Sequence, residues 1–295
     1  MNSITSFVLI IVLAITSAQA QQFNKEVKVE SKAPVLLGKI NQDALSNNTY
    51  GEWFNKNQTA FTPNTAIINQ LKNELPTYTI TAFMGTWCGD SKREVPKFYK
   101  VLEEANYPMD RLTMVGVSRD RETYKQSPGG EEEGLHIHRV PTFIIYKDGK
   151  EVNRIVESPV ESIEDDLLQI VKGNYVSNYQ SIEMAAASMN EMGLEKFQKK
   201  TKKISKKIKP VAKSMRELNT YVFTLFYAGK TDEAIAIATL NTTLFPEEAG
   251  AYVTLANQLA KTNKTEKAKT AYQKALDIDP ENKPAKEGMT ALNSK

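Results

Sequence analysis

Cysteine and histidine are nearly missing from this chain: its 295 residues hold one cysteine, Cys88, and two histidines. A lone cysteine excludes an internal disulfide, so oxidised Cys88 has to be a mixed disulfide, an intermolecular dimer or a sulfenic acid. His136 and His138 lack further spaced ligands and match no zinc signature, so no metal or cofactor is expected; a Cys88–His138 pair is the open alternative. Glycine and proline, 14 and 12 residues, are too few for a low-complexity chain. The apolar run from Phe7 to Ile15 is short of the roughly 20 residues that span a bilayer.

What is present fits an ordinary folded chain, with 41% apolar and 25% charged residues. The length suits about two domains. Residues 1–20 carry no charge and end in Ala18-Gln19-Ala20, a small-x-small site of the kind a secretory peptidase cleaves. This predicts a signal peptide and an exported, periplasmic or secreted protein cleaved near Ala20, with an uncleaved anchor as the competing reading. Residues 21–33 are polar without a sustained period and read as a tether.

From Pro34 onward the chain alternates strand and helix signals. Pro34 to Gly38 is strand-like, and Ile67, Ile68, Leu71 and Leu75 recur at helical spacing after Thr62-Pro63-Asn64. Asn41 to Ala60 reads as a loop with Trp53 and Phe54 packed beneath it. Thr77 to Met84 predicts a buried central strand, Ser91 to Ala105 a helix kinked at Pro96, and Leu112 to Val117 a parallel strand. Strands Thr142 to Tyr146 and Glu151 to Val156 flank a Lys147-Asp148-Gly149 turn, and a helix runs from about Val160 to Val171. The fold class this order defines is α/β, a mixed sheet flanked by helices.

Cys88 follows the predicted central strand at the first turn of a helix. Unpaired backbone N–H groups and the positive end of the helix dipole meet a thiol there, which favours a thiolate and makes Cys88 a candidate nucleophile. With Trp87-Cys88-Gly89-Asp90-Ser91, Pro96, Arg139-Val140-Pro141-Thr142 and Asp148-Gly149 in this order, residues 34–173 resemble a thioredoxin domain. The resemblance implies a cis Pro141 against the sulfur and a Val140 whose backbone groups meet a bound peptide. Arg139 stands beside that loop, where its charge either favours a thiolate or is solvated.

Three residues depart from the thioredoxin pattern. Ser91 stands where the second cysteine of the family does, and a hydroxyl cannot resolve a mixed disulfide as a second thiolate does. Ala82 replaces the family's buried acid six residues before the cysteine. Asp90 puts a carboxylate at the helix start, where the dipole stabilises it but its charge opposes a thiolate.

The second half repeats. Pro246 and Pro280 are 34 residues apart, and Tyr252, Leu255, Ala256, Leu259, Ala268 and Tyr272 fall one period after Leu218, Tyr221, Val222, Leu225, Ala234 and Ala238. The pattern resembles tetratricopeptide repeats at 215–248 and 249–282, followed by a capping helix from Pro284 to Leu292 within 215–295. Two such repeats have little core of their own. The connector 174–214 supplies a stripe of Leu194, Phe197, Ile204, Ile208 and Val211, which predicts packing on the first repeat with a bend near Pro210. Residues 194–213 carry nine lysines against Glu195, a net of +8 in a chain of formal charge +3. Those lysines read as a solvated face, with no aromatic interleaving to support nucleic acid and a lipid surface as the lesser alternative.

Together these features predict thiol-disulfide chemistry at Cys88, with a protein or peptide partner held by the repeats and the Pro141 loop and a low-molecular-weight thiol as a candidate resolving partner. The alternative is a redox-silent adaptor that binds peptides on the same surfaces.

Overall fold

The structure, a computed structural model, describes residues 23–29 and 32–294. The expected signal peptide lies outside the described residues. Six strands form one mixed sheet: β1 (Lys25–Val29), β2 (Lys32–Ile40), β3 (Thr79–Met84), β4 (Leu112–Gly116), β5 (Thr142–Lys147) and β6 (Lys150–Val156), in the order β1-β2-β4-β3-β5-β6. Strand β3 pairs parallel with β4 and antiparallel with β5. This interior position explains its continuous run of apolar, β-branched and small residues.

The tether expectation for 21–33 is corrected. Lys25–Val29 forms an edge strand antiparallel to β2, with Val27 opposite Val35. The loop expected at 41–60 is corrected too: it folds as α1 (Gln42–Ser46) and α2 (Asn48–Thr59). Asn41 caps α1 by accepting from the Ala44 N–H. Tyr50, Trp53 and Phe54 then recur at i, i+3 and i+4, with Phe54 fully buried beside the Tyr99 ring.

Helix α3 (Thr65–Glu74) is capped by the Asn64 side chain, and α4 (Gly89–Glu104) starts immediately after Cys88. Pro96 lies inside α4 without ending it. A proline there leaves the Lys92 carbonyl without its helical donor, and the Asn57 side-chain amide of α2 supplies one at 2.9 Å. Phe98 of α4 stacks on Phe143 of β5 with centroids 4.2 Å apart. Helix α5 (Ile163–Val171) completes this half, starting at the Ser162 cap, three residues after the expected start.

The connector is three helices: α6 (Gln180–Met192), α7 (Leu194–Lys199) and α8 (Thr201–Ile208). Phe197, Ile204 and Ile208 are buried in one cluster with Leu218, Tyr221 and Val222, so the stripe does pack on the first repeat. Lys202, Lys203, Lys206 and Lys207 are exposed. Helix α8 stops at Ile208 instead of bending near Pro210, as expected where a proline removes a donor. The repeats are α9 (Met215–Tyr227) with α10 (Thr231–Leu244) and α11 (Ala249–Lys261) with α12 (Thr265–Ile278), closed by α13 (Lys283–Asn293). No helix among the described residues is long and apolar enough to cross a membrane.

Candidate functional site

The chain leaves β3 at Met84, turns through Gly85-Thr86-Trp87 and enters α4 at Cys88. The Cys88 N–H closes the turn on the Gly85 carbonyl at 2.9 Å. A Cβ on Gly85 would stand 2.5 Å from the Trp87 ring, so glycine is the residue that lets the indole fold back over the turn. That indole donates to the Val117 carbonyl at 2.9 Å and lies beside the Tyr124 ring.

Cys88 is the N-cap residue of α4, half-buried, with extended backbone and no side-chain cap bond. Its Sγ donates to the Val140 carbonyl oxygen at 3.2 Å. The Val140–Pro141 peptide bond is cis. Trp87, Cys88, Val117, Ile137 and Val140 share a small apolar cluster at this end of the sheet.

The other turn residues have separate tasks. Ser91 is fully buried, and its Oγ accepts from the Gly85 N–H at 3.2 Å, so the hydroxyl at the position of a second cysteine satisfies the backbone of the turn. Asp90 is ion-paired with Arg93 at 2.8 Å, an exposed pair that partly offsets its charge. Gly89 has open space around the place a Cβ would take. Ala82 is buried in β3 opposite Met114 and Phe143, among apolar neighbours.

Arg139 is half-buried and is not a free charge directed at the thiol. Its guanidinium is ion-paired with Glu157, lies 4.8 Å from the Tyr179 ring centroid and reaches Thr220 of α9. Glu157 holds φ 65, a left-handed conformation uncommon for a residue with a side chain, and its carboxylate also accepts from the Tyr179 hydroxyl. Thr142 Oγ1 donates to the Arg139 carbonyl at 2.8 Å.

The Cys88–His138 pair left open by the sequence does not form. His138 is buried, with Nδ1 on the His136 carbonyl at 3.0 Å, and burial pushes its pKa down to about 3. His136 is held by Tyr221 Oη at 2.8 Å and Asn190 at 3.1 Å, and burial, then the charges of Arg154 and Lys230, lowers its pKa. No group of three metal-ligating side chains occurs among the described residues.

Lys125 carries no signal of burial in the sequence. Its side chain is buried, and Nζ donates to the His138 carbonyl at 2.7 Å and to Tyr124 Oη at 2.9 Å. Burial pushes its pKa down to about 7, helped by the like charge of Arg139 and opposed by Cys88 and Glu157. It is the middle residue of Tyr124-Lys125-Gln126, just before Pro128-Gly129-Gly130, where no periodicity signals burial.

One cleft borders these elements and a second lies among the helices of the second half. One of about 590 Å³ lies between the segment carrying Lys125 and His136 and helix α9, with Tyr221 and Lys230 in its wall. Another of about 850 Å³ runs among α7, α10, α11 and α12, with Ile235, Tyr252, Leu255 and Leu259 as apolar surface and Lys264, Lys267 and Lys274 around it.

Each half is similar, over part of its length, to known proteins. A family model of the tetratricopeptide repeat matches residues 249–282. A thioredoxin of Aspergillus fumigatus is 28% identical over 92 residues, 31% of this chain and 76% of that protein. Thioredoxin-1 of Schizosaccharomyces pombe is 27% identical over 85 residues, 29% of this chain and 73% of its own length. The class defined by fold and turn is therefore a thioredoxin-like domain joined to a helical-repeat domain. More particularly, it is a single-cysteine thioredoxin-like domain followed by tetratricopeptide repeats.

Proposed function

We propose that this chain is an exported thiol-disulfide protein that captures partners on Cys88, with the repeats selecting the partner. The observation that carries the proposal is the position of Cys88: half-buried at the start of α4, with Sγ 3.2 Å from the Val140 carbonyl. The export reading is supported by the uncharged apolar leader ending in Ala18-Gln19-Ala20.

The step is one exchange. The Cys88 thiolate attacks a sulfur of a partner disulfide; a new S–S bond forms to Sγ, the partner's own S–S bond breaks, and the departing sulfur leaves as a thiolate that takes a proton from water. Ser91 cannot repeat the attack from within, because its hydroxyl is not a thiolate and is engaged with Gly85. Release falls to an outside thiol, for which a low-molecular-weight thiol suffices. The groove of Ile235, Tyr252, Leu255 and Leu259 offers an apolar surface for a partner segment.

Cys88→Ser tests this. Partners recovered from the native compartment and separated without reductant should run as disulfide-linked species with the native chain and not with the variant. Identical recovery with both, and no linked species, would replace the proposal with the redox-silent adaptor.

A further inference from the structure

We propose that Lys125 is the positioning residue that holds a positive charge opposite Cys88, in the place where neither Arg139 nor a buried acid can act. The inference rests on Cys88 being the reacting group of the proposed function.

Lys125 and Cys88 are anchored on one short segment. Lys125 Nζ bonds the carbonyl of His138, and Cys88 Sγ bonds the carbonyl of Val140, two residues further on. Tyr124 ties the two together from the other side: its hydroxyl accepts from Nζ, and its ring lies beside Trp87, the residue before the cysteine. Burying an ammonium is costly unless it is paired and hydrogen-bonded. Among the described residues no carboxylate bonds Nζ; its two acceptors are a backbone carbonyl and a phenol. The charges that reach Lys125 are Arg139, which repels it, and Cys88 and Glu157, which attract it when ionised. Glu157 is engaged by Arg139 and Tyr179, and buried His138 is held neutral, so Cys88 is the acidic group of these without another ionic partner.

Arg139 is thereby displaced from the role the sequence suggested for it. Its ion pair with Glu157 fixes it at the edge of the site, while Lys125 occupies the interior. Lys125 also lines the cleft of about 590 Å³ shared with α9. With a pKa held at about 7, Lys125 changes charge near neutral pH.

Alkylation of Cys88 by iodoacetamide tests the pairing, because the chain has one cysteine and every adduct reports on it. In that reaction the S–C bond forms and iodide leaves, so no partner disulfide is involved. Lys125→Met should alkylate measurably more slowly at neutral pH and should lose an inflection at about pH 7. Lys125→Arg, which keeps the charge and cannot titrate, should recover most of the rate without the inflection. Thermal unfolding of Lys125→Met at or above the native midpoint would accompany this, since a buried charge is removed. A Lys125→Met profile that overlays the native one overturns the proposal.

Should Lys125→Met fail to fold, the reciprocal measurement decides. Titration of the Lys125 side-chain amine by NMR in Cys88→Ser should show a lower midpoint than in the native chain; an unmoved midpoint overturns the pairing. Loss of disulfide capture alongside an intact Lys125 dependence would remove the exchange function and leave this inference standing.

Discussion

At the scale of single residues, the decisive difference is the hydroxyl at 91. Ser91 is not merely a cysteine without its sulfur, because its Oγ accepts the Gly85 N–H and satisfies a buried turn. A thiol is a weaker acceptor, so Ser91→Cys should cost about 1 kcal/mol, the net value of one hydrogen bond. In return it restores a second thiol three residues along the first turn of α4, where i and i+3 are neighbours. The expected product under mild oxidation is an intramolecular disulfide between Cys88 and the introduced thiol, read as the mass loss of two hydrogens, about 2 Da, with loss of both thiol titres. Under the proposed function, a mixed disulfide formed on Cys88 should be released from this variant without added thiol. Persistent adducts on Ser91→Cys would mean that position 91 cannot reach Cys88, and that the serine is not what blocks self-release.

At the scale of elements, α2 carries a counter-intuitive position. Alanine normally improves on glycine in a helix by up to about 1 kcal/mol. A Cβ on Gly51, however, would stand 2.6 Å from the Ser46 carbonyl oxygen, backbone of the preceding helix. Gly51→Ala should therefore destabilise, by about 1–3 kcal/mol as other overpacked sites do, and a lower urea midpoint at unchanged slope would show it. A gain in stability would mean that α1 and α2 separate freely. The same stretch shows where the sequence was hard to read: Asn, Gln, Thr and Gly dominate 47–59, and only Tyr50, Trp53 and Phe54 carry the helical period. Strand β1 was concealed for a related reason, since Lys25, Glu26 and Lys28 surround Val27 and make an edge strand look like a tether. By contrast β3, β4 and both repeats were legible because their apolar residues recur with one period over a full element. Cys88 and the Pro141 loop could be placed from motifs; Lys125 could not, because its burial comes from elements distant in sequence.

At the scale of the whole molecule, the site loop belongs to both halves. Residues 118–141 run from β4 to β5 without a helix or strand of their own, yet Lys125, Ile137, His138 and Val140 within them are buried. Helix α9 supplies much of the cover. Tyr221 bonds His136 and sets its ring edge against His138, while the Tyr227 hydroxyl and carbonyl accept from Arg121 and Gln126 at 2.6 and 2.7 Å. From the connector, Asn190 reaches His136 and Tyr179 reaches Glu157. A segment with few backbone bonds of its own depends on such contacts for its local stability. The first repeat is thus a structural wall of the loop that holds both Val140 and the Lys125 anchor, as well as one side of the cleft that Ile235 and Tyr252 line. Tyr221→Ala should raise amide hydrogen exchange across 118–141 while β3 and β4, paired within the sheet, keep their protection. Tyr221→Phe, which loses the bond to His136 and keeps the ring, should fall between the two. Unchanged exchange in 118–141 for Tyr221→Ala would mean that the loop is held by its own domain, and that the repeats carry no structural influence on the thiol site.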